Sequence, residues 1–170
     1  MANPYNRPRN CTMTKTQIIE SLGLEPHPME GGYFRRTYES SQTIGSRKLL
    51  TSIYYLLSDD SPIGYMHRNK SDILHFHHSG SSIKYLLISD DGTVEEHLLG
   101  SNLEEGEKPQ LLVKGGVWKI SILQEGSYGL LSEAVCPGFE YADNELAGLE
   151  LVQARFPELA QEISIYVKES

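Results

Sequence analysis

Residues 65–80 read YMHRNKSDILHFHHSG and carry four of the six histidines in the chain. The stretch forms two short runs with strand-like alternation, and the second run ends at Gly80, a residue that favours a turn. Imidazole can ligate a metal, donate a proton or accept one near neutral pH. This density of histidines between two predicted strands therefore marks the segment as the candidate functional site.

Side-chain alternation predicts which of these histidines face the same way. Successive side chains of a strand point to opposite faces, so His75 and His77 share a face with Ile73. His78 has the opposite parity, and we expect it on the surface near the turn. By the same rule, Lys119 and Ser121 of a later strand lie on the face opposite Trp118, which we expect on the outer face or at a subunit contact.

The composition describes an ordinary soluble chain. It has 170 residues, of which 39% are apolar and 22% charged, which suits one domain with its own hydrophobic core. A net charge of −8 argues against nucleic-acid and anionic membrane partners, which need a basic surface. We expect a flexible tail over residues 1–13, a single domain over 14–170, and a cytoplasmic protein, because neither a secretory signal nor a disulfide framework is evident.

The remaining pattern predicts an all-β protein with a short helix at each end. Thr14 can cap a helix that Gly23 ends, and a second helix is expected after Pro157. Short strands at about ten-residue spacing, with no helices between them, are typical of an antiparallel sandwich or barrel. The nine predicted strands are 33–38, 51–57, 63–68, 73–77, 83–89, 93–99, 110–114, 117–123 and 128–135.

Two sequence motifs, separated by two predicted strands and a loop, resemble those of a known protein family. They run from Tyr65-x-His67 to Gly80 and over KGGVWK (114–119), and they resemble the two motifs of the cupin superfamily. Three stretches resemble one branch of it, long classed as a domain of unknown function: HPMEGGYFRRTY (27–38), HRNKSDILHFH (67–77) and AVCPGFEYAD (134–143). The resemblance implies a double-stranded β-helix, or jelly roll, and a homodimer.

Most positions that hold metal ligands in the cupins that this chain resembles hold other residue types here. Metal-binding cupins use the two histidines of an HxH, a glutamate and a later histidine, and here these positions hold Tyr65, His67, Ile73 and Lys119. Counting forward from His67 instead of back from Gly80 would place Asp72 at the glutamate position. A lysine ammonium has no lone pair to offer a metal. We therefore expect no cofactor, with a divalent metal held by the histidines at 67, 75 and 77 as the alternative.

The resemblance also implies a pocket inside the barrel. Its candidate catalytic residues are His67, His75 and Lys119, and its candidate ligand-binding residues are Tyr65, His77, Glu133 and Phe139, the last as a cover or simple corner at the mouth. We expect His27 to face solvent or to act as a structural cap. Arg35 and Arg36 should be solvated, unless their strand crosses to a partner subunit and one of them reaches its pocket.

Three functions fit this pocket. The first is binding of a small, anionic metabolite, with metal-free isomerase or epimerase chemistry by histidine acid–base catalysis if the protein is an enzyme. The alternatives are a metal-dependent oxygenase or isomerase using the histidine cluster, and a non-catalytic ligand-binding or storage module.

Overall fold

The computed structural model describes residues 13–168 and confirms an all-β jelly roll. The tail predicted for residues 1–13 lies, apart from Met13, outside the described part of the chain. Within residues 13–168, no helix is long and apolar enough to cross a membrane. The strands are β1 (Glu25–Pro26), β2 (Tyr33–Glu39), β3 (Thr43–Ile44), β4 (Arg47–Lys48), β5 (Thr51–Ser58), β6 (Ile63–Asn69), β7 (Asp72–Gly80), β8 (Ile83–Ile88), β9 (Val94–Leu99), β10 (Gln110–Val113), β11 (Trp118–Leu123), β12 (Tyr128–Cys136) and β13 (Asn144–Leu146).

Two antiparallel sheets form the barrel. One has the strand order β1-β2-β5-β12-β7-β10 and the other the order β13-β6-β11-β8-β9, while β3 and β4 form a separate hairpin. All nine predicted strands are present with small shifts at their ends. The four short strands β1, β3, β4 and β13 were missed, because two or three residues are too few to show a periodic pattern.

Strand alternation separates an interior from two outer layers. The interior cluster includes Tyr55, Leu57, Ile83, Tyr85 and Leu131, which come from both sheets. The neighbouring positions Leu56 and Leu130 face outward and pack under α1 (Lys15–Leu22). On the opposite sheet, the outward side chains Trp118, Ile120 and Ile88 pack under the C-terminal helices.

The helices agree with the prediction at one end only. α1 begins at a Thr14 capping box and ends at Gly23 with a φ of 60°, as predicted. The single helix expected after Pro157 is instead two helices on either side of it, α2 (Leu149–Arg155) and α3 (Ala160–Ile163). These helices bury Trp118 completely, so its expected place on the outer face of the sheet is confirmed but it is not available as a surface contact.

A close approach between β6 and β11 predicts a sensitive glycine. Gly64 is paired with Ser121, and a Cβ at position 64 would overlap the Ser121 Oγ and lie 3.0 Å from the Tyr55 hydroxyl. We expect Gly64→Ala to lower the free energy of unfolding by about 1–3 kcal/mol, as overpacking does. Adding Ser121→Ala removes the overlapping oxygen and should restore part of that loss in urea denaturation. The single variant Ser121→Ala is the control for the double variant. If Gly64→Ala were as stable as the wild type, this packing would be contradicted.

Candidate functional site

A tight turn carries two polar side chains into the barrel. Residues 27–32 read HPMEGG, and Gly31 and Gly32 adopt φ values of 82° and 68°, which glycine adopts without strain. The turn is tied to β6 because the Tyr65 amide donates to the Glu30 carbonyl at 2.8 Å. A Cβ on Gly31 would overlap the Ile63 carbonyl. The glycines therefore allow the close contact that places His27 and Glu30 inside.

Glu30 is the centre of one buried polar cluster. Its side chain is 8% exposed, and the Asn144 Nδ2 donates to its Oε1 at 2.6 Å. Its Oε2 lies 3.4 Å from the His67 Nε2 and 3.7 Å from the His27 Nε2. A buried carboxylate needs such partners, because an unpaired one costs several kcal/mol.

The hydrogen bonds of His67 assign its protons. Its Nδ1 lies 2.6 Å from the Tyr65 carbonyl, which only accepts, so Nδ1 carries a hydrogen. In the neutral ring the Nε2 lone pair then faces the Glu30 carboxylate at 3.4 Å, so a proton taken up by the pair would lie between these two atoms. Burial lowers the pKa of His67, while Glu30 opposes this shift. The Glu30–His67 pair is thus arranged to hold or release a proton.

His27 is fixed in the opposite tautomer. Its Nδ1 accepts the backbone N–H groups of Glu30 and Met29, at 2.9 and 3.3 Å, so the hydrogen of the neutral ring is on Nε2, on the side of Glu30. Burial lowers the pKa of His27. Of the two places expected for this side chain, the structural cap is confirmed and the solvent-facing one is not, because it is only 4% exposed and its Nδ1 accepts backbone N–H groups of the turn.

A second buried cluster joins β7, β11 and β12. The His75 Nδ1 lies 3.2 Å from the Glu133 Oε1 and 3.2 Å from the Tyr85 hydroxyl, while its Nε2 faces the Lys119 Nζ at 3.5 Å. Lys119 also lies 3.5 Å from Glu133. Both ring nitrogens of His75 are therefore engaged, and the Lys119 charge is compensated by a carboxylate.

The charges of this second cluster follow from its contacts. Burial raises the pKa of Glu133, but Lys119 and His75 lower it by more, so its pKa lies well below the ordinary value. Burial lowers the pKa of His75, and the Lys119 ammonium adds to that shift. We therefore assign a carboxylate, a neutral imidazole and an ammonium to this cluster near neutral pH.

The structure brings some of the candidate residues together and separates others. His67, His75, Lys119 and Glu133 converge, and cross-strand pairing joins Lys119 to His67 and Glu133 to His75. Tyr65 contributes its carbonyl to His67. The ring of His77 instead lies 3.3 Å from the Ser81 carbonyl, and His78 is exposed as expected, 2.9 Å from the Ser132 hydroxyl.

The donor atoms do not fit the alternative metal site. His77 is directed to Ser81, and both ring nitrogens of His75 are engaged. The Nδ1 of His27 accepts backbone hydrogens, whereas a ligating histidine normally donates from its second nitrogen. Across residues 13–168, no group of three or more His, Cys, Asp or Glu side chains is arranged to hold a metal ion.

A small cavity leads to Glu30, and we call it the mouth cavity. Its volume is about 30 Å³, which is room for about one or two waters. Phe139 lies over it after the bend at Gly138, and its amide donates to the Thr51 hydroxyl at 2.9 Å. Larger depressions occur on outer surfaces away from both polar clusters. The mouth cavity is lined by His27, Glu30, Phe34, Arg36, Thr51, Ser52, Ile53, Val135, Phe139 and Tyr141.

Comparisons with known proteins agree with this architecture. The family described as "Cupin superfamily (DUF985)" matches residues 16–147. The chain belongs to this family. An uncharacterized protein of Saccharomyces cerevisiae, YML079W, is 37% identical over 147 residues, covering 75% of this chain and 72% of its own. The predicted cupin relationship is confirmed. The matched family is one of unknown function.

Solved structures extend the likeness over nearly the whole cupin domain. Protein SO0799 of Shewanella oneidensis is 31% identical with a TM-score of 0.88, covering 94% of this chain and 100% of its own. A hypothetical protein from Leishmania major is 28% identical with a TM-score of 0.86, covering 92% and 100%. Oxalate decarboxylase of Bacillus subtilis, at 18% identity and a TM-score of 0.54, covers 86% of this chain and 38% of its own, so it shares the fold alone.

Glu30 and His27 are the site residues that sequence reasoning missed. They lie in a proline-rich corner rather than on a strand, so alternation says nothing about where they point. An acidic residue directly before two glycines was the available signal, because consecutive glycines permit a sharp inward turn.

The buried histidines predict a loss of stability in mild acid. His27, His67 and His75 have lowered pKa values in the folded protein, whereas the unfolded chain takes up protons below about pH 6.5. The stabilisation is complete above that pH and is lost as pH falls toward the folded-state values. Urea denaturation between about pH 7.5 and about pH 5.5 should show this decline, with a shallower slope in His67→Gln. An equal slope in both proteins would contradict the assignment.

The Lys119–Glu133 pair predicts a large effect of removing one partner. Lys119→Met leaves the Glu133 carboxylate buried without its ammonium, and we expect a loss of about 3–5 kcal/mol in the free energy of unfolding. The double variant Lys119→Met/Glu133→Gln should recover much of it. Lys84→Met is the matched control, because Lys84 pairs with the exposed Glu96 and should lose at most about 1 kcal/mol. Similar losses in both lysine variants would contradict the buried pairing.

Proposed function

We propose that the barrel binds a small metabolite and moves a proton on it, as a metal-free isomerase or epimerase of the acid–base type. The observation that carries this proposal is the Glu30–His67 pair, with its two acceptor atoms 3.4 Å apart. Glu30 lines the mouth cavity and His67 lies behind it. A ligand in the cavity therefore meets Glu30 first.

In the proposed step this pair takes a proton from the ligand, holds it and returns a proton to the ligand. The Glu30 carboxylate removes a proton from a carbon next to a carbonyl group, and the electron pair of the broken C–H bond moves to the carbonyl oxygen. While it is held by the pair this proton exchanges with solvent, and a proton then returns to that carbon or to its neighbour through the opposite electron movement. His67 accepts the proton from Glu30 in the meantime, because its Nε2 faces the carboxylate.

The second cluster supports this step without taking part in the proton transfer. His75 has both ring nitrogens engaged, which favours His67 over His75 as the histidine that receives the proton. Lys119 places a positive charge beside His67, its cross-strand partner, and stabilises negative charge that develops on a nearby substrate oxygen. Glu133 keeps that ammonium in place.

The metal-dependent alternative has less support from the donor atoms. Oxalate decarboxylase of Bacillus subtilis has Mn(II) centres, but its likeness to this chain is at the level of the fold. The positions where Tyr65, Ile73 and Lys119 stand offer one weak ligand, an alkyl group and a cation. No step of the proposed reaction therefore uses a metal.

Proton exchange in heavy water tests the proposal. Purified protein is incubated in D₂O with a panel of small keto and hydroxy-keto acids, and deuterium entry next to the carbonyl is followed by NMR. We expect exchange with wild type and with the control Glu96→Gln, whose residue lies on β9 away from the cavity. Glu30→Gln and His67→Gln should each lower the rate by about a hundredfold or more.

Three outcomes would overturn this assignment. Exchange that persists in Glu30→Gln would remove the proposed proton acceptor. Stoichiometric metal in the purified protein, lost on His67→Ala, would favour the metal-dependent alternative. Binding of panel members with no exchange in wild type would leave a non-catalytic binding module as the function.

A further inference from the structure

Arg36 has the features of a ligand-recognition residue. It lies on β2, lines the mouth cavity and has a side chain that is 30% exposed. Its Nη1 donates to Glu39 at 2.8 Å, and its guanidinium carbon lies 5.9 Å from the centre of the Phe139 ring. Its Nε is buried and has no hydrogen-bond partner among residues 13–168. The Nε N–H is thus an unsatisfied donor on a side chain that lines the cavity.

We propose that Arg36 binds the carboxylate of a small planar acid, whose opposite end reaches Glu30. The inference rests on the proposed function for the reacting end at Glu30 and adds the class of ligand. An arginine presents two parallel N–H donors that match a carboxylate. The site for the anion then lies at the rim of the cavity rather than at Lys119.

The charge balance of the interior supports this placement. The two buried clusters contain the carboxylates Glu30 and Glu133 and a single ammonium, Lys119. The three buried imidazoles have lowered pKa values, so near neutral pH they add no positive charge. An anion placed among these groups meets two carboxylates. Among the described residues that line the mouth cavity, Arg36 is the one arginine or lysine.

The walls of the cavity favour a flat apolar body. Phe34, Ile53 and Val135 line it from the barrel side, and Phe139 and Tyr141 from the bend. The Phe139 and Tyr141 rings are 5.2 Å apart and nearly perpendicular. A ring does not fit the volume of about 30 Å³, so it enters by displacing the Phe139 side chain from beneath Arg36. The ligand ring then takes over the aromatic contact with the guanidinium.

Benzoate titrations test this inference on the full-length protein. Benzoate is the probe, and benzamide is the neutral compound of the same shape. We expect wild type to bind benzoate more tightly than benzamide in calorimetry, and Arg36→Gln to weaken benzoate binding by about tenfold to a hundredfold. Arg35→Gln is the matched control, because Arg35 donates to the Leu22 carbonyl away from the cavity and its loss changes the net charge equally.

A third variant shifts the affinity in the opposite direction. Glu39→Gln removes the carboxylate that competes for Arg36, so benzoate should bind a few-fold more tightly. No preference of wild type for benzoate over benzamide, or equal losses in Arg36→Gln and Arg35→Gln, would overturn the inference. Benzoate binding that depends on Arg36, together with no proton exchange in wild type, would support the inference while refuting the proposed reaction.

Discussion

The free-energy cost of burying charged groups determines how the polar side chains inside this barrel are paired. Glu30 and Glu133 are both almost fully buried, and a carboxylate out of water is tolerated only with close partners. Each therefore has its own histidine, at 3.4 Å for Glu30 and 3.2 Å for Glu133. Among residues 13–168, Glu133 but not Glu30 also has an ammonium, within 3.5 Å. The Glu133 cluster therefore has its charges paired within it, whereas the Glu30 cluster lacks a fixed cation.

The two clusters also differ in what holds them. The Glu133 cluster is built on regular strands: Glu133 and His75 are paired in the ladder between β12 and β7, and Lys119 reaches them from β11 of the opposite sheet. The Glu30 cluster depends on a turn that is tied to β6 by one backbone hydrogen bond and to β13 through Asn144. A regular ladder suits a fixed electrostatic support. The turn places Glu30 at the mouth cavity, where a ligand can reach it.

These differences explain which parts of the site could be predicted from sequence. Alternation placed His75, Lys119 and Trp118 on their correct faces, because each lies within a long regular strand. It said nothing of Glu30, whose direction depends on two glycines in a turn. It also implied that His77 would join the cluster, but that residue lies where the β7–β12 pairing shifts register, near the Gly80 turn. Local periodicity cannot anticipate either feature.

Lys119 occupies a metal-ligand position of related cupins and supplies a positive charge there. It stands where the resemblance to metal-binding cupins would place a histidine, and its ammonium lies within 3.5 Å of both Glu133 and His75. A fixed ammonium compensates a buried carboxylate and stabilises nearby negative charge, as a cation does. It has no open coordination position at which a substrate or oxygen can bind. A barrel arranged in this way retains the positive charge of a metal site, which is the arrangement that the binding and proton transfer proposed for Arg36, Glu30 and His67 require.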